Sequence, residues 1–424
     1  MSIFAKGLVA AMEDETQEAE LAIDETGAES AEADLVEATD ISADVEAGGA
    51  EIDQASADAD TLERIADTAE AAEAEGGLDP VAAEIAEVAV ESIYSRLGVQ
   101  RSSYPALESF GGKTGRKRAT QLAIEDIKET VKKIWAAVVN AFQKIVDFVK
   151  NFFGKLFDGN RKLLARINAL EKKAAAAKGE TTGNVKASGI TKPAGKGDKA
   201  GVLKVLGSTE QELKKVAGDT QKIIVGLGAM ASSISINQGA ADDQGFLDKS
   251  KAAMDVYKEA AAFKSVGGEV IGPRIDVKFA DKSVGDTARG AWEALKDFGI
   301  TIKENLPFTD KPEIEALSKA EVATALKAAE KIVQYNLGQK AAVAAFENGM
   351  KKAIEAAKKI AETAPDGEGK AAVVEDSRIA QRAITATGNS AIKVFTFAGK
   401  VGTEIAKAGI DYAERSLATV KAAE

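Results

Sequence analysis

The side chains available for chemistry in this 424-residue chain are few in kind, because it contains no Cys and no His. Thiolate and imidazole metal sites, cysteine nucleophiles, disulfides and every histidine-based triad are therefore excluded. Carboxylates, Lys, Tyr, Ser and Thr remain. Paired carboxylates occur at Asp242–Asp243 and Glu375–Asp376. Neither pair sits beside a plausible set of partners, so no glycosidase-type or metal chemistry is assigned to them. No Ser or Thr has a His to activate it. The sequence marks no catalytic residue, no metal ligand and no cofactor site, and the chain reads as a non-enzyme.

Four stretches carry physical chemistry of another kind. Gly111-Gly-Lys-Thr-Gly115 invites a phosphate-loop reading. That motif needs a further Gly five residues before the Gly-Lys pair and a strand leading in, and the required position is Leu107. A flexible basic hinge is the better reading. The cluster Lys113, Arg116, Lys117 and Arg118 continues into Lys-rich segments. Such charge contacts phosphate without reading sequence, and it also suits an ordinary solvated surface or anionic lipid. Ala106-Leu107-Glu108, followed by Ser109, is a small-x-Glu tripeptide in a segment broken by Pro105, Gly111 and Gly112. An exposed hinge of this type is where proteases cut. The same pattern recurs at Glu125, Glu171 and Glu210, but inside or at the ends of expected helices.

The fourth stretch is an apolar stripe that includes Trp135, Phe142, Phe152, Phe153 and Phe157. It lies on a long amphipathic helix over 118–157, whose apolar positions recur at three-to-five spacing. Core packing is one reading of it. Lys on one face with Trp and Phe on the other also matches an interfacial membrane helix or a partner-binding helix.

The elements that must position these stretches divide by charge. Residues 1–108 carry 28 Asp/Glu against 4 Lys/Arg, a net of −24. Residues 109–200 carry 8 against 20, a net of +12, and 201–424 balance at 31 each. Residues 13–78 are acidic, Ala-rich and nearly free of large apolar groups, which predicts a disordered or weakly helical arm. A helical period returns over 80–97. Asp158-Gly159-Asn160 reads as a turn before a second basic helix over 161–177, and 178–200 as a flexible basic linker. The remainder, 201–424, reads as a mostly helical domain with helices near 209–234, 246–264, 284–299, 314–336, 339–363, 375–387 and 390–421. A small hairpin through Gly272-Pro273 is expected to join 269–272 to 274–279. The fold class is mainly α: an acidic N-terminal arm, a long amphipathic helix pair, and a helical C-terminal domain with a small β element. No run of about 18 apolar residues predicts a transmembrane helix, and Lys6 with Glu13-Asp14-Glu15 argues against a cleaved secretory signal at the start.

The stretch Ala106-Leu-Glu-Ser-Phe110, the helix opening Arg118-Ala-Thr-Gln-Leu-Ala-Ile-Glu-Asp-Ile-Lys-Glu-Thr-Val-Lys-Lys-Ile-Trp135 and the run Phe152-Phe-Gly-Lys-Leu-Phe157 resemble internal head (inner capsid) proteins of large tailed bacteriophages. The resemblance covers roughly residues 1–170. It implies that 1–108 is an acidic propeptide, with a capsid-targeting helix at 1–12, removed by a prohead protease that cuts after Glu108. It further implies residence inside the capsid, capsid or scaffold partners, non-specific contact with packaged DNA by a mature product of net +12, and ejection with that DNA. Two other readings stand beside it: a membrane-active or host-targeted effector using helix 118–157, and a zymogen-like enzyme in 201–424.

Overall fold

The computed structural model describes residues 26–97, 104–233, 246–249, 251–263, 268–278, 287–303, 312–363 and 371–420. The expected targeting helix at 1–12 and the pair Asp242–Asp243 lie outside them. The described chain is built on helices α1 (Thr26–Ala74), α2 (Pro80–Leu97), α3 (Lys113–Ala176), the short α4 (Thr191–Ala194), α5 (Lys199–Ser233), α6 (Ala252–Ala262), α7 (Ala288–Lys296), α8 (Lys319–Leu337), α9 (Lys340–Thr363) and α10 (Ala371–Leu417). Four short strands, β1 (Asn184–Lys186), β2 (Ile275–Lys278), β3 (Gly299–Ile302) and β4 (Glu313–Glu315), form two antiparallel pairs, β1–β4 and β2–β3.

The mainly α class expected from sequence holds, and three long helices frame the molecule. Asn160 on α3 meets Thr403 on α10, and Arg166 meets Asp411, so α3 and α10 run parallel with a near-constant offset. Helix α1 runs antiparallel to α3: Lys117, Lys128, Lys155 and Lys162 meet Glu73, Glu70, Glu37 and Asp34 in turn. At 64 residues, α3 extends roughly 95 Å. One contiguous core runs along it and includes residues of α1, α5, α8, α9 and α10. Thr403 ties three helices together. Its hydroxyl accepts from Asn160 and Asn336 side-chain amides, each at 3.0 Å, and donates to the Gly399 carbonyl.

Five local expectations give way. Residues 26–74 of the acidic arm are one helix rather than a disordered or weakly helical chain. Its buried positions Ala38, Val45, Ile52, Ala59 and Ala66 repeat every seven residues, with Ser42, Gly49 and Ser56 between them. This is a narrow seam of mostly small residues, and the large apolar groups that cover it come from its neighbours. The Asp158-Gly159-Asn160 turn is absent, and α3 continues through it. Asn160 is fully buried, and its side-chain nitrogen donates to the Leu156 carbonyl as well as to Thr403, so the donor end of the amide is met within the helix packing. The same holds for Gly388-Asn389, which lies inside α10. A Cβ at Gly388 would sit 2.5 Å from the Phe142 ring, so this Gly admits a close helix crossing. The expected linker 178–200 holds β1 and α4, with Val185, Ala187 and Ile190 buried. Finally, β2 pairs with β3, Ile275 opposite Ile302, and not with residues 269–272. The Glu212 carboxylate instead accepts from the amides of Glu269, Val270 and Ile271, which fixes that segment as a bend.

The link from α1 to α2 turns through Gly76 and Gly77, with φ of 109° and 100°. A Cβ on Gly77 would lie 2.8 Å from backbone atoms of Arg116 and Lys117, whereas one on Gly76 would meet nothing within 4 Å. The main chain of α3 cannot yield as a side-chain tip would. Gly77→Ala is therefore expected to lower stability by roughly 2–4 kcal/mol, and Gly76→Ala by roughly 1–2 kcal/mol from backbone strain alone. Denaturant midpoints of the two variants check the order.

Candidate functional site

The junction at Glu108 is a single 3₁₀ turn, Leu107–Phe110, closed by Ser109 N–H to the Ala106 carbonyl at 2.9 Å and Gly111 N–H to the Glu108 carbonyl at 3.2 Å. Ala106, Leu107, Glu108 and Ser109 are all exposed, while Tyr104 and Phe110 on either side are buried. Three further small-x-Glu copies, at Glu125, Glu171 and Glu210, lie within α3 and α5. Only a few backbone hydrogen bonds hold the copy at Glu108, and none belongs to an α-helix. No strand leads into Gly111–Gly115; Gly112 is the N-cap of α3. The phosphate-loop geometry is therefore not formed here.

The basic cluster sits at the start of α3, against the end of α1. Lys117 lies 3.7 Å from Glu73, and Gln121 donates to the same carboxylate at 2.7 Å. Arg116 is half-buried and Arg118 exposed; the side chain of Lys113 lies outside the described residues. Further along, Lys128, Lys155 and Lys162 meet Glu70, Glu37 and Asp34. These pairs are mostly part-exposed, so each adds at most about 1 kcal/mol and serves register more than stability. The acidic face of α1 thus lies along the basic face of α3.

A second row of cations completes the groove and was not singled out in the sequence. On α10, Arg378 pairs with Glu63 and Asp67, Arg382 with Asp60 at 2.7 Å, and Lys393 with Asp53 at 3.4 Å. Asn389 donates to the Gly49 carbonyl at 3.0 Å and to Asp53 at 2.9 Å. The available signal was Arg378 and Arg382, four apart on a largely apolar helix, the spacing that puts both on one face.

Glu63 is where α1, α3 and α10 meet. Its carboxylate accepts from Trp135 Nε1 at 3.2 Å and lies 2.8 Å from Arg378 Nε. Burial, only partly offset by Arg378 and Trp135, raises its pKa to about 7. On α2, Tyr94 donates to Asp126 at 2.9 Å, and burial raises the phenol above its ordinary value.

The aromatic stripe lies inside. Trp135, Phe142, Phe152, Phe153 and Phe157 are all buried. Phe153 packs on Phe395 with ring centroids 4.6 Å apart, and Phe395 stacks on Phe346 at 5.2 Å. The core reading therefore describes these side chains as they are placed. Among the described residues, no helix is long and apolar enough to cross a membrane.

No group of three or more carboxylates among the described residues has the arrangement to hold a metal ion. Asp376, from the pair Glu375–Asp376, is fully buried, bonded to Arg289 Nη1 at 2.7 Å and Leu247 N–H at 3.0 Å. Burial raises its pKa, and its role is to tie α10 to α7. A cavity of about 410 Å³ beside α10 is lined by Lys192, Arg274, Lys400, Glu404, Lys407 and Asp411. Its charges are of mixed sign, and Asp411 is engaged by Arg166 at 2.8 Å.

The Glu63 geometry sets a pH dependence. Its folded-state value exceeds the ordinary carboxylate value, so the folded chain binds the extra proton between about pH 4.5 and 7. The associated stability is complete below the ordinary value and is lost as pH rises through about 7. Thermal midpoints of the full chain should therefore fall from pH 5 to 8 in part through this group. Glu63→Gln should flatten that fall, gaining on the order of 1–3 kcal/mol relative to the parent at pH 8.

Comparison with known proteins yields one result. The model of a family described as phiKZ-like phage internal head proteins matches residues 40–422. No curated protein and no solved structure matches. The match runs from α1 through α10, across both the acidic arm and the groove it fills. On that extent, the chain belongs to the phiKZ-like phage internal head proteins.

Proposed function

We propose that this chain is the precursor of a structural protein packed inside the phage head, in which the arm 1–108 masks a basic surface until a prohead protease cuts after Glu108. Family membership supports the head interior as its location. One observation carries the masking: α1, part of an arm of net −24, lies antiparallel on the basic helix α3, carboxylates set against Lys117, Lys128, Lys155 and Lys162. Those lysines are the charges a phosphate backbone would otherwise meet. The mature product, 109–424, carries +12 and contacts packaged DNA without reading its sequence. Capsid or scaffold proteins receive the precursor, and the mature protein leaves with the DNA on ejection.

The junction suits this reading chemically. The protease must extend several residues through its cleft, and the turn at 107–110 yields after loss of few backbone bonds. Buried Tyr104 and Phe110 hold the exposed residues between them outward.

Mass spectrometry of purified particles tests the cut. The expected mature protein begins at Ser109; full-length protein with an intact Glu108–Ser109 bond overturns the reading. Glu108→Gln should leave the precursor uncut in the same particles. For DNA contact, the uncut chain should bind duplex roughly tenfold or more weakly than the cut chain freed of its arm. The logarithm of affinity should fall with the logarithm of salt by about 0.9 per phosphate contacted. Affinity insensitive to salt rejects a phosphate-driven contact.

A further inference from the structure

We infer that the groove between α3 and α10 is a binding surface for an acidic helix with a small-residue seam, and that it keeps hold of α1 noncovalently after the chain is cut at Glu108. The inference rests on the reading of residues 1–108 as a removable arm. It differs from that reading in one respect: the cut alone does not unmask the basic surface.

The contacts that seat the arm are remote from the junction. They run from Asp34 to Glu73 on α1, and hydrolysis of the Glu108–Ser109 bond breaks none of them. Val45, Ile52 and Leu62 are at most 1% exposed, so the arm is held by burial as well as by charge. On the groove side, cations stand in two rows. Four lysines of α3 occupy one wall, and Arg378, Arg382 and Lys393 of α10 the other. Between the rows the surface is apolar, with Trp135 reaching Glu63 at its centre.

Shape adds selectivity. A Cβ at Gly49 would lie 2.4 Å from Asn389 Oδ1, while the Asn389 amide donates to the Gly49 carbonyl. The groove therefore accepts a helix with glycine at that level and acids on both flanks. Helix α2 adds a further hold, with Arg96 bonded to Asp58 on α1 and Tyr94 to Asp126 on α3. Its occupant is a segment of this same chain, in cis before the cut and as a separate piece after it. What the cut removes is the tether. A linked segment faces its site at millimolar effective concentration, and a severed one depends on its actual concentration. After cutting, another polyanion can compete for the two rows of cations, which it cannot do efficiently while the arm is linked.

The test uses the full chain with a site-specific protease sequence replacing Ala106–Ser109. It is folded, cut to completion in low salt, and passed over a sizing column into a native mass spectrometer. The expected result is one species containing both pieces, from which added duplex DNA displaces the arm. Recovery of the arm alone in low salt overturns the inference, whether the remainder stays soluble or precipitates. In the cut chain, Lys128→Glu with Lys155→Glu and Lys393→Glu should weaken retention about tenfold or more on dilution. Gly49→Leu should do so through shape without altering charge, and retention unchanged in both variants overturns the groove assignment. The engineered cut does not use the phage enzyme. A different processing site in particles would therefore sink the proposed maturation and leave this result standing.

Discussion

The structure depends on the antiparallel seating of α1 between α3 and α10. A 49-residue helix with few large apolar groups has little to hold it helical by itself. It is ordered because its neighbours supply what it lacks. Large side chains on α3 and α10 cover its small seam, and their cations meet its carboxylates. The dependence is mutual. Without α1, apolar surface on α3 faces water, and the half-buried Arg378 and Arg382 lose the carboxylates set against them. Charge fixes which helix lies there and in which register, and burial supplies most of the adhesion.

Much of this was legible from residues alone. The stripe Leu122–Phe157 marked the central part of α3, and the acidic and basic charge of the first two segments reappears as the facing sides of α1 and α3. The family resemblance read from residues 1–170 agrees with a match that extends to residue 422. What stayed hidden was whatever depends on a distant partner. Composition marks residues 26–74 as unable to build a core, which is true of them alone, because the surface they bury belongs to other helices far along the chain, as with Trp135 and Glu63, 72 positions apart. Asn160 and Asn389 read as breakers because their side-chain amides need partners inside a helical bundle; Thr403 and the Gly49 carbonyl accept from the amide nitrogens, and neither partner is near in sequence. The β1–β4 pair joins Val185 to Ile314, a separation no local pattern discloses. Of the candidate cations, Lys117 fell where the arm lies, while the α10 row went unnoticed because two arginines on a buried helix look like ordinary core ion pairs.

The arrangement fits the proposed maturation of an acidic precursor into a basic product. Under that proposal the arm neutralises, inside one molecule, the cations that would bind nucleic acid too early, and it covers apolar surface of α3. Under the same proposal both effects weaken when the tether is cut, and phosphate at the density of packaged DNA competes strongly for the rows of cations. The Glu63 carboxylate, buried among Trp135 and Arg378, makes the seat tighter when protonated than when ionised.

The central claim is the seating itself, and zero-length cross-linking of lysine amines to carboxylates reads it directly in the uncut chain. The account predicts links that join Lys128 to Glu70, Lys155 to Glu37 and Lys393 to Asp53, descending along α1 as they ascend α3 and α10. Links confined to neighbours in sequence, or arm carboxylates joined to lysines in no consistent order, would contradict it.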